Sequence, residues 1–287
     1  MEEALRPMNR ETDRATASFE RDASMLEVSS LHHWFGGLHV IDDVSFTCRQ
    51  GIIKAIIGPN GAGKTTLFNL ISGSPTPLSG HIRFLGRETT RFPPHRIACL
   101  GISRTFQASH IFPGMTVLEN VMTGRHVMSR AGLLSSMLAL PHTWREEARI
   151  RADSMAILEG LGIAGLAGKN GQSLPFGKQR IVEIARALAA RPRLLLLDEP
   201  ACGLTINETE EIGGLIRGIR EEGTTVIIVE HDMSLVMDIS DEVVVLSYGR
   251  KIAEGTPRAV QSDPEVISVY LGAESEQKPP ASGGPDA

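Results

Sequence analysis

The chain of 287 residues carries 34 Asp and Glu against 29 Lys and Arg, a net charge of −5, with 5% aromatic residues. Charges of both signs are spread along it, so no basic nucleic-acid stripe is present and no stacking platform for single strands is expected. The cysteines Cys48, Cys99 and Cys202 lie far apart without metal spacing, and their odd number argues against a disulfide framework and suits a reducing cytoplasm.

Residues 1–24 are polar without an apolar core and are expected to form a flexible extension rather than a secretory signal. Folded sequence runs from 25 to 272. Met25–Val28 and Val44–Thr47 alternate as strands, and the continuously apolar Ile52–Ile57 predicts a buried one. A Gly-rich loop follows, then a helix-like segment from Leu67. Ile82–Leu85 reads as a further strand ended by Gly86. Residues 109–190 read as mainly helical. Within them, Trp144, Ala148, Ala152, Met155 and Leu158 predict an amphipathic helix stopped at Gly160. The most membrane-like stretch, Gly132–Pro141, is far short of the ~20 residues of a spanning helix, so any membrane role is expected to come through partners. Strands at Leu194–Leu197, Thr224–Val229 and Glu242–Leu246 alternate with a helix at Glu208–Glu222, closed by Gly223. The tail 273–287 reads as disordered. This alternation predicts an α/β fold with a mostly parallel sheet, whose ligands gather beyond the carboxyl ends of the strands.

Three motifs fall at such ends. Gly58-Pro59-Asn60-Gly61-Ala62-Gly63-Lys64-Thr65-Thr66 lies between a strand and a helix, the context of a P-loop. Its backbone N–H groups and the helix N-terminus suit a phosphate chain. Lys64 supplies charge to the outer phosphates, and Thr65 a hydroxyl to Mg²⁺. In Leu194-Leu195-Leu196-Leu197-Asp198-Glu199, Asp198 suits Mg²⁺, and Glu199 is placed to activate a water that attacks the γ-phosphate. His231 follows a third strand and is a candidate γ-phosphate contact. Gln107, in Ser103-Arg104-Thr105-Phe106-Gln107, could bind Mg²⁺ or water through its amide oxygen. The His32-His33 pair reads as surface or core. Together these features outweigh a solvated carboxylate pair, a P-loop kinase and a silent scaffold, and a GTPase would want a guanine-specific Asn-Lys-x-Asp segment that this chain does not have.

From Met25 to Gly272 the chain resembles the ATP-binding cassette of ABC transporters. The resemblance implies a P-loop NTPase cassette with a RecA-like core, an antiparallel β subdomain and a helical signature subdomain. It makes Gly58–Thr66 the Walker A loop and Gln107 the Q-loop glutamine. Asp198 becomes the Walker B aspartate, Glu199 the catalytic glutamate and His231 the switch histidine. Phe35 matches the aromatic that stacks on adenine. Leu174-Pro175-Phe176-Gly177-Lys178-Gln179-Arg180 takes the place of the signature motif. There Gly177 is retained, but Pro175 replaces the phosphate-binding serine and Phe176 a glycine. Thr205 stands where many cassettes have the D-loop aspartate. Repair cassettes carry a long coiled coil and ribosome-associated ones a second cassette, and neither is seen.

The finer resemblance is to importer ATPases for branched-chain amino acids. It rests on Phe35-Gly36-Gly37-Leu38, Arg104–Gln107, the insert 125–144, Ala201–Leu204, Val229–Met233 and Val269-Tyr270-Leu271-Gly272, the last within a C-terminal family segment at 248–272. It implies ATP and Mg²⁺ as cofactors. It also implies a sister ATPase, two permease subunits and an extracytoplasmic binding protein, at the cytoplasmic face of the inner membrane. Importers of amides, urea or aromatic acids, and a non-transport cassette, are the alternatives.

Overall fold

The computed structural model describes residues 24–105, 111–125 and 141–276. Gln107, residues 1–23, most of the 125–144 insert and the tail beyond Glu276 lie outside them. Strands β1 (Ser24–Phe35) and β2 (Leu38–Arg49) form an antiparallel hairpin, longer than the two short segments expected from sequence. With β4 (Ser79–Phe84) and β5 (Arg87–Glu88) they make an antiparallel sheet ordered β2-β1-β4-β5.

The second sheet contains β3 (Ile53–Ile57), β6 (Ile102–Arg104), β7 (Leu194–Asp198), β8 (Thr225–Val229), β9 (Glu242–Ser247) and β10 (Arg250–Gly255). Its order is β10-β9-β3-β8-β7-β6, and every pairing is parallel except that of β10 with β9. Side chains alternate between its faces with a period of two. Ile53, Ala55 and Ile57 face a helical cluster, as do Leu195, Leu197, Val226, Ile228, Val243 and Val245. Ile56, Leu194, Leu196, Ile227, Val229, Val244 and Leu246 face the antiparallel sheet. Both faces are therefore dry, which is why these strands read as unbroken apolar runs.

Helix α1 (Lys64–Ile71) begins at Lys64, not Leu67, because Gly63 at φ 100° turns the chain directly into it. After α2 (Pro94–Leu100), the helical layer contains α3 (Val117–Arg125), α4 (Pro141–Gly160) and α5 (Phe176–Ala189), the last two joined by short 3₁₀ turns. Among the described side chains the buried stripe of α4 is Ile150, Ser154 and Leu158, and that of Trp144 lies outside them. Ala148 and Ala152 are exposed, because alanine gains little from burial. Gly160 is still helical, and the left-handed residue beyond the helix is Gly162 at φ 70°. Helices α6 (Ile206–Glu221) and α7 (Met233–Ile239) complete the αβ crossovers. The short α8 (Pro257–Gln261) precedes α9 (Pro264–Glu276), which continues past the expected end of the folded sequence at Gly272.

One polar group interrupts the inter-sheet layer. Lys54, with its side chain 1% exposed, donates to Glu254 Oε1 at 2.6 Å and lies 2.9 Å from Glu242 Oε2. Glu242 and Glu254 are partly exposed and keep Arg49 and Lys251 as partners, so removing Lys54 costs its charge-assisted hydrogen bonds, about 1.5–3 kcal/mol. Lys54→Ala is expected to lower the thermal midpoint by about 3–12 °C, read by calorimetry.

Candidate active site

The loop Gly58–Gly63 joins the carboxyl end of β3 to α1. Its glycines answer a steric demand at two points. A Cβ on Gly58 would stand 2.1 Å from Leu246 O, and one on Gly63 2.5 Å from Val40 O, at φ 151° and 100° respectively. The loop is thus wedged between β9 and the β1–β2 hairpin. No side chain caps α1, so its first N–H groups, which a helix leaves without internal partners, remain available to an acceptor. Asn60 and Thr65 are exposed at the mouth, while Ala62 is buried and Thr66 half-buried. Lys64 is 6% exposed, and its Nζ donates to Gly58 O at 2.6 Å and Pro59 O at 3.0 Å. Burial lowers its pKa, while Glu199 and Asp198 pull the other way, so all three groups share one electrostatic site.

Asp198 ends β7 and is 1% exposed. Its Oδ2 accepts from Arg104 Nη2 at 2.7 Å, and the same guanidinium donates through Nη1 to Asn69 Oδ1 of α1 at 2.6 Å. Its amide donates to Thr105 Oγ1 at 3.3 Å. Burial pushes the carboxyl above the usual range, with Arg104 opposing. Its Oδ1 is buried and has no hydrogen-bond partner among the described residues. One buried carboxylate with a vacant oxygen, facing a phosphate cradle, fits Mg²⁺, which takes one or two carboxylates and completes its shell with water and phosphate oxygens. No cluster of three ligating side chains exists among the described residues, so a metal held by protein alone is not indicated there.

Glu199 extends the β7–β8 pairing through its amide, which donates to Val229 O at 2.9 Å, and holds a left-handed φ of 47°. That backbone is rare for a residue with a side chain, and the ladder bond on it helps fix the conformation. His231 lies beyond β8 with its side chain 56% exposed, and its Nδ1 is 3.8 Å from Glu230 Oε2. Phe35 sits at the free end of the hairpin that buttresses Gly63. It is 56% exposed and meets the His33 ring edge-on at 4.7 Å. His33 itself is 5% exposed, a core residue whose pKa burial lowers.

The structure therefore gathers Gly58–Lys64, Asp198 and Glu199, with His231 on the neighbouring strand end. It does not gather Gly177. That residue is buried at the start of α5, where an added Cβ would lie 2.5 Å from Glu208 Oε1. Before it, Pro175 caps α5 without a side-chain bond, and Phe176 is exposed beneath the Arg180 guanidinium at 5.0 Å. Thr205 has its own task as N-cap of α6, in a reciprocal capping box with Glu208.

Several supporting residues escape sequence reasoning. Arg104 and Thr105 reach Asp198 only because β6 pairs with β7, an adjacency that chain order does not reveal. Glu230 links two loops through backbone amides. Tyr270 of α9 is half-buried against the helical cluster, and burial pushes its phenol up to about 12, with the Gly58 backbone opposing.

A family model described as ABC transporter matches residues 41–202, and one described as branched-chain amino acid ATP-binding cassette transporter matches residues 250–276. The chain is 41% identical over 249 residues to the high-affinity branched-chain amino acid transport ATP-binding protein BraF of Pseudomonas aeruginosa, covering 86% of this chain and 98% of that one. It is 39% identical over 249 residues to LivG of Escherichia coli, a protein of the same description, with the same coverage. Among solved structures, the ADP conformation of an ATP-binding cassette of an ABC transporter superposes with TM-score 0.77 at 32% identity, covering 87% of this chain and 99% of that one. The cbiO1 subunit of Clostridium perfringens superposes at 0.73 with 30% identity, covering 90% and 100%. The phosphate cradle, the strand-end carboxylates and these similarities agree: the chain belongs to the ABC transporter ATP-binding cassettes and is the ATP-binding, ATP-hydrolysing subunit of a membrane transporter.

Proposed function

We propose that this subunit energises import of branched-chain or closely related amino acids. The observation that carries the reading is the C-terminal segment 250–276, which matches the family described by that substrate class and packs through Tyr270 against the helical cluster. BraF and LivG are described by the same substrate class.

In this reading the backbone N–H groups of the Gly58–Thr66 loop, Pro59 excepted, bind the phosphates of ATP, and Lys64 exchanges its two carbonyl partners for phosphate oxygens. Thr65, Asp198 and Gln107 would hold Mg²⁺, which neutralises charge on the transferring phosphoryl group when bound. Glu199 takes a proton from the attacking water. His231 contacts the γ-phosphate, and Phe35 covers the adenine from the hairpin tip. The N-terminus of α5, which Gly177 helps to open, is the proposed contact with the ATP of a second cassette. A sister ATPase is the proposed second cassette, with an extracytoplasmic binding protein delivering substrate.

A cleft of about 880 Å³ between the β6 end of the sheet and the helical layer is lined by Asn69, Ile97, Arg104, Phe112, Glu183 and Arg186. It is the proposed seat for the permease pair. Arg104 stands in its wall and on Asp198, so one side chain joins that seat to the metal-binding carboxylate. No helix among the described residues is long and apolar enough to cross a membrane, which is compatible with peripheral attachment at the cytoplasmic face through those permeases.

The substrate class is tested by uptake of labelled leucine into proteoliposomes holding the full transporter, with unlabelled competitors. Competition by isoleucine and valine but not by urea or short amides is expected. Competition by urea or amides alone would reassign the substrate.

A further inference from the structure

Glu230 directly follows β8 with its side chain 0% exposed, yet among the described residues no lysine or arginine pairs with it. A carboxylate in such a place is costly unless hydrogen bonds hold its charge. Here the charge is held by backbone amides from two different loops. Ala201 N donates to Oε1 at 2.8 Å, while His231 N at 3.1 Å and Asp232 N at 3.5 Å donate to Oε2. Burial raises the pKa of the group, and the three amides oppose that rise.

The chemistry of the side chain selects an acid for this position. An ionised carboxylate accepts on both oxygens, so it can face donors on either side. Glutamine of the same shape accepts on one side only, and its NH₂ would confront an N–H on the other. Ala201 stands two residues after Glu199, and His231 directly follows Glu230. One side chain therefore spans the turn that leaves the hydrolytic carboxylate and the loop that carries the histidine.

We infer that Glu230 is a positioning residue for ATP hydrolysis: it ties the Glu199–Ala201 turn to the His231 loop, so that both reach the γ-phosphate as one unit. The inference rests on the roles given above to Glu199 and His231. Glu230 touches neither nucleotide nor water in this scheme and acts only through the amides it holds.

The test compares Glu230→Gln, Glu199→Gln, His231→Ala and the Glu230→Gln/His231→Ala double variant in the assembled transporter. The expected result for Glu230→Gln is a kcat lower by about 10- to 100-fold, the worth of a charge-assisted hydrogen bond, with KM for ATP within about threefold of parental. Amide hydrogen exchange should rise in segments 199–204 and 230–233. The double variant should be within about twofold of the slower single one, because both changes disable the same unit. A merely structural role predicts instead a rise in KM, and losses that multiply in the double variant.

Parental kcat in Glu230→Gln beside an inactive Glu199→Gln overturns the inference and leaves the site reading standing. Parental kcat in Glu199→Gln overturns both. If Glu230→Gln does not fold, Glu230→Asp serves: it keeps the charge and the adjacent amides but is one methylene too short for Ala201. The same loss confined to kcat is expected, and a parental kcat there overturns the inference.

Discussion

Glu199→Gln lowers kcat for ATP hydrolysis by about 10²–10⁴-fold, the usual contribution of a positioned general base, and leaves ATP affinity close to parental. The shape of the residue is kept, the left-handed backbone at φ 47° is unchanged, and the amide bond to Val229 O remains. What is lost is the ability to accept a proton. The expected species is a cassette that loads ATP and stays loaded. Single-turnover hydrolysis of labelled ATP, paired with binding of a fluorescent ATP analogue, separates the two steps. Hydrolysis at the parental rate would move the base to another residue.

Lys64→Ala acts on the other side of that division. Its ammonium sits in a buried loop between the carbonyls of Gly58 and Pro59, with Asp198 and Glu199 as its electrostatic neighbours. Without it the loop keeps its amides but loses its charge-assisted donor to the outer phosphates, worth about 1.5–3 kcal/mol. ATP affinity should fall by about 10- to 100-fold, and hydrolysis with it. Titration with the same fluorescent analogue checks this. Unchanged affinity would show that the backbone cradle alone holds the phosphates. The two variants thus predict opposite signatures at neighbouring residues, binding kept without turnover and binding lost.

Much of the site is local in sequence and was legible there. The P-loop is one continuous stretch, and each carboxylate ends a strand whose unbroken apolar run announces burial on both faces. What sequence could not supply is the order of the strands. Arg104 reads as part of a weak motif near Gln107 until β6 is seen beside β7, which puts its guanidinium on Asp198. Glu230 likewise reads as a companion of His231 until its carboxylate is found under Ala201 N.

The departures in the fold have physical reasons. Strand β10 carries Arg250, Lys251 and Glu254, charges that suit a sheet edge and mask the alternation a strand pattern needs. The buried face of α4 uses Ser154 where small apolar residues nearby stay exposed, so a count of apolar positions selects a different stripe. Thr205, a departure from the D-loop pattern, is explained locally, because a threonine three residues before Glu208 makes the capping box of α6.

Coupling of hydrolysis at this site to amino-acid import follows from the proposed function. It is tested most directly by ATPase activity of the transporter assembled in lipid, with and without its permease pair, during titration with leucine-loaded binding protein. Stimulation by the loaded binding protein that requires the permeases is expected. Activity indifferent to both would contradict it and favour a cassette that works outside transport.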